Sequence, residues 1–284
     1  MRLPVTYLFV PGDRPERFDR ALGSGADVVI LDLEDAVHPD KKAEARTGIA
    51  KWFRCTPVAN KRTLVRINGA ATPWFADDLA MLRVLHGVGA MVPKAEARAV
   101  LKDVLAALGE EPVLVPLIES ALGLRAIDII AETVGVQRLA FGTLDFALDL
   151  GLSEDQRGLL MPASQIALAS RCAGLAAPIA GLAAPIAGVT AAIHDHDALV
   201  NDIAFARSLG FAAKLCIHPR QVSIVRAAFA PGAEELDWAR RVVSAVAAGV
   251  GAAQVDGRMV DAPVLRRAQS IIERADSSSN QEAQ

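Results

Sequence analysis

Short apolar runs rich in β-branched residues alternate along the chain with longer segments of helical periodicity. This alternation is typical of repeated βα units that build a parallel sheet. The pattern predicts eight strands, of which the seventh is the weakest, at residues 5–10, 27–33, 63–67, 89–93, 112–118, 137–142, 189–193 and 212–217. Because the strands are apolar at nearly every position, both faces of the sheet should be covered. Eight such units in 284 residues favour a (β/α)8 TIM barrel over an open sheet.

The chain continues beyond the eighth strand for more residues than a barrel requires. We therefore predict a barrel over residues 1–230 and a helical C-terminal extension over residues 231–275. The surplus helices are expected to pack on a neighbouring subunit. The last segment, DSSSNQEAQ at residues 276–284, is polar and is predicted to be a disordered tail.

An uncharged segment at residues 172–193 is long enough to span a bilayer. It is rich in alanine, and Pro178, Pro185 and several glycines would interrupt a helix, so we do not expect a membrane protein. The segment contains GLAAPIA twice, at residues 174–180 and 181–187. We interpret this repeat as a small duplication absorbed in a loop or a helix end. If the duplication shifts the register of the seventh strand by an odd number of residues, the inward and outward side chains of that strand exchange.

The composition excludes several classes of function. A net charge of −3 gives no general attraction to nucleic acid. The three cysteines, Cys55, Cys172 and Cys216, are far apart and lack metal-type spacing, so we expect free thiols in a reducing compartment. The N-terminal segment lacks the features of a signal peptide, and the expected location is cytoplasmic.

Polar side chains lie at the ends of five of the predicted strands or shortly after them. They are Asp32, Glu34 and Asp35 after the second strand, Arg66 and Asn68 after the third, Lys94 and Glu96 after the fourth, Glu119 after the fifth, and Asp145 after the sixth. In a (β/α)8 barrel the active site is built at the carboxyl ends of the strands. The coincidence of these residues, with charges of both signs, predicts a functional site.

Glu119 ends an apolar strand, where a carboxylate is costly unless a cation or a proton meets it. Asp145 lies one βα unit later, so the two carboxylates should face the same mouth of the barrel. Because no His or Cys lies nearby, the expected ion is a hard divalent one, Mg²⁺, bound by Glu119 and Asp145. A carboxylate at a strand end is also often a helix N-cap, and this alternative applies to Asp145.

Arg66 lies between apolar positions in the motif VRIN. One interpretation is a buried ion pair with Asp32 or Glu34 on the neighbouring strand. A guanidinium held in this way is also pre-organised to clamp a substrate carboxylate, so the two interpretations are compatible. The five histidines are interpreted as structural or surface residues.

Eight motifs resemble the citrate lyase beta subunit family and its malyl-CoA and citramalyl-CoA lyase relatives. They are FVPGDRPERF (9–18), VVILDLEDAV (28–37), VRIN (65–68), VPKAE (92–96), PLIES (116–120), FGTLDF (141–146), CIHPRQV (216–222) and GRMVDAPVLRRA (257–268). The resemblance implies a (β/α)8 barrel and a trimer or hexamer. It also implies that Glu119 and Asp145 bind the metal and that Arg66 contacts the carboxylate of an oxo-acid.

The same resemblance assigns further roles. It implies that Asp261 reaches the active site of a neighbouring subunit as an acid or base, and that Arg14 meets the CoA portion. Asp32 joins Arg66 and Asp261 among the expected catalytic residues, and Glu34 and Lys94 are expected to contact substrate.

The expected activity is Mg²⁺-dependent cleavage of a citryl-, malyl- or citramalyl-CoA type thioester into acetyl-CoA and an oxo-acid. One alternative is a class II hydroxy-oxo-acid aldolase that acts without CoA. Another is a beta subunit that acts only inside a citrate lyase complex with an acyl carrier protein.

Overall fold

The computed structural model describes residues 3–56, 59, 62–109, 112–152, 157–175, 186–187, 195–247 and 254–282. Eight parallel strands form a closed barrel in the order of the sequence. They are β1 (Thr6–Pro11), β2 (Val28–Asp32), β3 (Thr63–Arg66), β4 (Gly89–Val92), β5 (Leu114–Ile118), β6 (Ala140–Phe141), β7 (Ile186–Ala187) and β8 (Ala213–Cys216). β1 pairs with both β2 and β8, which closes the sheet. The predicted (β/α)8 barrel is therefore confirmed.

Helices follow the strands around this barrel. They are α1 (Phe18–Leu22), α2 (Lys42–Cys55), α3 (Phe75–Leu82), α4 (Arg98–Leu108), α5 (Ala121–Arg125), α6 (Ile127–Ala131), α7 (Thr143–Leu150), α8 (Arg157–Cys172), α9 (His196–Ser208) and α10 (Pro219–Phe229). Capping side chains fix where some of them begin. Ser120 accepts the Gly123 N–H at the start of α5, and Asp195 accepts the Ala198 N–H at the start of α9.

The interior of the barrel is filled by one layered cluster of side chains. It comprises Tyr7, Val28, Ile30, Leu64, Met91, Val115, Leu117, Ala140, Ala213 and Leu215. The intervening strand residues, such as Val29, Leu31 and Val65, are also fully buried. Because both faces of each strand are buried, the strands read as continuous apolar runs in the sequence.

Asp27 joins the amino-terminal ends of β1 and β2. Its Oδ2 accepts the backbone N–H groups of Val5 and Thr6 and the Thr6 hydroxyl, each at 2.9 Å. The Arg226 guanidinium lies 2.9 Å from Asp27 Oδ1. This network stabilises the face of the barrel opposite the strand ends that carry the candidate site.

The seventh strand differs from the prediction. β7 lies at Ile186–Ala187, inside the second copy of GLAAPIA, where it pairs with Ala140 of β6 and with Ala213 of β8. The segment 189–193, in which we predicted this strand, lies outside the described residues. The duplication thus supplies strand residues to the barrel, rather than only loop residues before it.

The chain divides into two compact units: a barrel unit within residues 3–226 and a C-terminal unit that begins at Ala227. The C-terminal unit contains α11 (Ala233–Ala247), the hairpin strands β9 (Gln254–Val255) and β10 (Arg258–Met259), and α12 (Ala262–Glu282). Its buried cluster is formed by Ala239, Val242, Ala268 and Ile271.

The backbone of α12 extends through Glu282, into the segment for which the sequence predicted a disordered tail. No Pro or Gly follows Pro263, so nothing in the sequence terminates the helix once its first turns are packed. The predicted domain boundaries and the packing of this unit on a neighbouring subunit stay predictions.

Among the described residues, no helix is both long and apolar enough to cross a membrane.

Candidate active site

A buried ion pair connects the ends of β2 and β3. Arg66 Nε donates to Asp32 Oδ1 at 2.7 Å, and Arg66 Nη2 donates to Asp32 Oδ2 at 2.6 Å. Residues 32 and 66 are register partners in the parallel pair β2–β3, so the barrel itself brings them together. The Phe9 ring lies 4.9 Å from the guanidinium carbon and covers it. Both charged groups are buried, and the two-pronged geometry fixes the plane of the guanidinium.

Asp32 has further partners in its own turn. Its carboxylate also accepts the backbone N–H groups of Glu34 and Ala36, at 2.9 and 3.1 Å. With the two bonds from Arg66, each carboxylate oxygen of Asp32 accepts two hydrogen bonds. Because both oxygens are occupied, the Asp32 carboxylate has little capacity to accept a proton from substrate. Its hydrogen bonds instead hold Arg66 in place.

Glu34 is a buried carboxylate between two cations. Its Oε2 lies 2.9 Å from Arg66 Nη1, and its Oε1 lies 3.4 Å from Lys94 Nζ. The contact with Arg66 lacks hydrogen-bond geometry, and Glu34 Oε2 has no hydrogen-bond partner among the described residues. Burial raises the pKa of Glu34 to about 7, although Arg66 acts in the opposite direction.

Glu119 follows β5 and is 2% exposed. Its Oε1 accepts the backbone N–H of Lys94 at 2.7 Å, and Lys94 adopts a left-handed backbone with φ of 45° to present that group. Burial raises the pKa of Glu119 to about 8, and the negative charges of Glu34 and Asp145 add to this rise. The Lys94 N–H and the Arg66 charge oppose it. A cation beside Glu119 would stabilise its ionised form.

A cavity of about 360 Å³ opens at this end of the barrel. It is lined by Phe9, Pro11, Asp32, Asp35, Ala36, Arg66, Leu117, Glu119, Gly142, Thr143, Leu144, Asp145, Leu215 and Ile217. Four of the eight predicted site residues therefore line one cavity: Asp32, Arg66, Glu119 and Asp145. Glu34 contacts this group through its ion pair with Arg66, and Lys94 contacts it through its backbone hydrogen bond to Glu119.

Glu119 and Asp145 are suitable ligands for a hard divalent cation. Both are carboxylate residues that line the cavity, and Asp145 lies in the first turn of α7. The negative charges of Glu34 and Asp145 disfavour ionisation of Glu119, and a bound cation would offset this repulsion. Among the described residues, no group of three or more His, Cys, Asp or Glu side chains is arranged to hold a metal. A metal held by this pair would thus keep coordination positions open for substrate and water.

Two predicted residues, Arg14 and Asp261, are absent from the described lining of this cavity. Arg14 lies in the loop after β1, where its side chain is exposed and lies 3.7 Å from Glu16. Asp261 belongs to the C-terminal unit, and its Oδ1 accepts the Val264 N–H at the start of α12. The Asp261 carboxylate is thus a helix N-cap in this chain.

Several residues of the site were not predicted from the sequence. Gly142 leaves space for Glu119, Phe9 covers Arg66, and Lys42 hydrogen bonds to the turns after β2 and β3. A glycine directly after the apolar run of β6 is a signal that could have identified Gly142. Lys42 has no such signal, because a lysine at the start of a helix is usually exposed.

A closed parallel barrel with a buried arginine and two carboxylates at the carboxyl ends of its strands has the architecture of a TIM-barrel enzyme. The sequence matches the HpcH/HpaI aldolase/citrate lyase family over residues 6–219. It also matches the family described as a C–C bond lyase of the TIM-barrel fold over residues 168–278. The chain belongs to the HpcH/HpaI aldolase/citrate lyase family, as its motifs predicted.

Similar proteins cover nearly the whole chain. A citrate lyase subunit beta-like protein of Mycobacterium tuberculosis is 36% identical over 280 residues, or 97% of each chain. A (3S)-malyl-CoA thioesterase of Cereibacter sphaeroides is 30% identical and covers 90% of this chain and 89% of its own. The crystal structure of CitE from Mycobacterium tuberculosis in complex with magnesium, acetoacetate and coenzyme A superposes with a TM-score of 0.83. It has 34% identity and covers 96% of this chain and 98% of its own.

Proposed function

We propose that this protein cleaves the carbon–carbon bond of a β-hydroxyacyl-CoA thioester in a Mg²⁺-dependent reaction that yields acetyl-CoA and an oxo-acid. The observation that carries the proposal is that Arg66, Glu119 and Asp145 line the same cavity. An arginine that could bind a substrate carboxylate thus lies in the same cavity as two carboxylates that could bind Mg²⁺. The magnesium, acetoacetate and coenzyme A complex of the similar CitE protein supports this assignment.

In the proposed reaction, the substrate hydroxyl gives up its proton and becomes the carbonyl of the oxo-acid, and the enolate carbon takes up a proton, so cleavage neither consumes nor releases a net proton. The electron pair of the broken bond passes to the thioester as an enolate, and protonation of the enolate carbon gives acetyl-CoA. Mg²⁺, when bound, supplies positive charge that polarises the oxygens of the oxo-acid half. Glu119 and Asp145 would hold that ion.

Arg66 would bind the carboxylate of the oxo-acid half. Asp32 uses only two of the five guanidinium N–H groups, and it fixes the plane in which the others point. We therefore assign Asp32 a positioning role rather than proton transfer. Lys94 and Glu34, which lie beside this group, are assigned to substrate contacts.

We assign Asp261 of a neighbouring subunit, in a homotrimer or homohexamer, as the acid that donates a proton to the enolate carbon. Asp261 is exposed and caps α12 through only one of its carboxylate oxygens, so the other remains for a proton. Arg14, also exposed, is assigned to the CoA portion.

The lining of the cavity favours a substrate with one free carboxylate. Among the described residues, Arg66 is the only Lys or Arg that lines the cavity, and the other lining residues are apolar or acidic except Thr143. A second carboxylate inside the cavity would lie among Leu117, Leu215 and Ile217 or beside Asp35. The neighbouring cation, Lys94, does not line the cavity and already pairs with Glu34 at 3.4 Å. Malyl-CoA and citramalyl-CoA have one free carboxylate, whereas citryl-CoA has two.

The test is cleavage of malyl-, citramalyl- and citryl-CoA by the purified protein, with Mg²⁺ and then with EDTA, followed by mass spectrometry of all products. We expect acetyl-CoA together with glyoxylate or pyruvate, loss of both products in EDTA, and the least turnover with citryl-CoA. Absence of acetyl-CoA from all three thioesters would contradict the proposal.

Thioester hydrolysis is a second candidate, because relatives such as that of Cereibacter sphaeroides are (3S)-malyl-CoA thioesterases. The same assay separates the two reactions, since hydrolysis releases free CoA and the intact hydroxy acid without acetyl-CoA. Release of pyruvate from a CoA-free hydroxy-oxo-acid would instead identify the class II aldolase. Activity only after addition of an acyl carrier protein would identify a citrate lyase subunit.

A further inference from the structure

Lys42, the first residue of α2, is only 5% exposed. Its Nζ donates to the backbone oxygens of Leu33 and Glu34, at 2.8 and 2.9 Å, and to Asn68 Oδ1 at 2.6 Å. An ammonium group has three N–H donors, so these acceptors use all of them. The Trp74 ring lies 4.6 Å from the same nitrogen. Lys42 therefore has no donor left for a substrate.

The partners of Lys42 directly follow the two strands that form the ion pair of the site. Leu33 and Glu34 follow Asp32, and Asn68 lies two residues after Arg66. Lys42 thus ties the turn after β2 to the turn after β3. A backbone hydrogen bond from Leu33 N to Arg66 O, at 2.9 Å, reinforces the connection.

Asn68 is fixed from its other side. Its backbone N–H and its side-chain Nδ2 both donate to Asp78 Oδ2 at 2.7 Å, and Arg46 Nη1 donates to Asp78 Oδ1 at 3.0 Å. The acceptor for Lys42 is therefore rigid. The side chain of Glu34, whose backbone Lys42 holds, lies 2.9 Å from Arg66 Nη1. The hydrogen bonds of Lys42 thus connect, through Glu34, to the guanidinium of Arg66, which we assign to binding of the oxo-acid carboxylate.

We propose that Lys42 is a positioning residue for recognition of the oxo-acid carboxylate and that it acts through Arg66. This inference rests on the proposed function, because it takes Arg66 as the carboxylate clamp. Asp32 aligns one edge of the guanidinium, and Lys42 holds Glu34 against the other. Without Lys42, Glu34 and the turn after β2 would move, and Arg66 would lose its alignment.

The test compares Lys42→Met with Lys41→Met. Lys41 is the adjacent lysine, but its side chain is 55% exposed and pairs with Glu44 at 2.7 Å. For Lys42→Met we expect about tenfold weaker binding of pyruvate in the presence of Mg²⁺, measured by calorimetry, as for other outer-shell supports. The KM for the oxo-acid in the condensation direction should rise more than kcat falls. Lys41→Met should match the wild type in both measurements.

A double-mutant cycle separates positioning from a general loss of structure. In an Arg66→Lys background, Lys42→Met should weaken pyruvate binding little further, because the clamp that it supports is already impaired. An equal fold-loss in both backgrounds would overturn the inference. Thermal unfolding of each variant accompanies the cycle. If Lys42→Met does not fold, Asn68→Ala, which removes one of the three acceptors, takes its place in the same cycle.

The binding readout also distinguishes this inference from the proposed function. If the wild-type protein produces no acetyl-CoA, the lyase assignment is wrong. The double-mutant cycle measured by pyruvate binding still decides whether Lys42 is a positioning residue. A wild-type protein that binds neither pyruvate nor glyoxylate with Mg²⁺ would remove both proposals.

Discussion

Gly142 lies directly against Glu119: a methyl group on Gly142 would sit 2.5 Å from Glu119 Oε2 and 2.6 Å from Glu119 Cβ. Gly142 follows β6 and donates its N–H to Ile118 O of β5 at 2.9 Å, so its backbone cannot easily retreat. The residue after β6 must therefore lack a side chain if Glu119 is to keep its position.

We expect Gly142→Ala to displace Glu119 and to lower metal-dependent turnover by about a hundredfold, since small misplacements at an active site have effects of this size. The control is Gly48→Ala in α2, where an added methyl group contacts nothing within 4 Å. Turnover and Mg²⁺ affinity should be measured for both variants. Wild-type turnover in Gly142→Ala would show that the position of Glu119 is not critical.

Glu119→Gln and Asp145→Asn test the metal pair. Each change removes one anionic ligand and keeps the size of the side chain, so Mg²⁺ affinity and Mg²⁺-dependent turnover should both fall sharply while the fold persists. The fall should resemble the effect of EDTA on the wild type. Asp128→Asn, an exposed carboxylate in α6, is the matched control. Unchanged Mg²⁺ binding in either site variant would exclude that residue as a ligand.

The Arg66–Asp32 pair should contribute to stability as well as to binding. Removing one partner of a buried ion pair leaves the other charge uncompensated, so Asp32→Asn should lower the free energy of unfolding by about 3 kcal/mol. Asp35 provides the comparison, because its carboxylate is 62% exposed and lies 3.3 Å from the same guanidinium. Asp35→Asn should change the free energy of unfolding by less than about 1 kcal/mol. Equal effects in urea unfolding would contradict this distinction.

The residues that converge on the cavity were predictable because they follow apolar strands. In a parallel barrel, strand order alone brings the carboxyl ends of β2, β3, β5 and β6 to one mouth, which places Arg66 near Asp32 and Glu119 near Asp145. The sequence also suggested that Arg66 would pair with Asp32 or Glu34. In the structure, the Arg66 guanidinium pairs with both Asp32 and Glu34.

The supporting residues could not be predicted in the same way, since their roles depend on packing between segments distant in sequence. Lys42 and Asn68 are 26 residues apart and meet only because the fold brings the start of α2 next to the turns after β2 and β3. We predicted the seventh strand at residues 189–193, beyond both copies of GLAAPIA, because the repeat is rich in Ala, Pro and Gly and its local pattern does not indicate a strand. The strand that the structure describes lies in the second copy, where pairing with β6 and β8 holds it in the sheet.

Asp27 should make the stability of the protein depend on pH in the acidic range. Burial alone would raise the pKa of Asp27, but hydrogen bonds from Val5 and Thr6 and the charge of Arg226 bring it below the ordinary value of 3.8. Because the pKa in the folded state is lower than in the unfolded state, the stabilisation is fully present above the unfolded value. It is lost as the pH falls through the folded value.

Asp27→Asn should therefore lower the free energy of unfolding by about 2 kcal/mol near neutral pH, as expected for the loss of charge-assisted hydrogen bonds. The difference from the wild type should shrink as the pH falls below the unfolded pKa, because the carboxylate is protonated first in the unfolded state and, at still lower pH, in the folded state. Urea unfolding at about pH 7, 5 and 3 measures this change. Asp40→Asn, at a side chain that is 90% exposed, should leave the pH profile unaltered. A constant difference between Asp27→Asn and the wild type across this range would show that the charge on Asp27 does not stabilise the barrel.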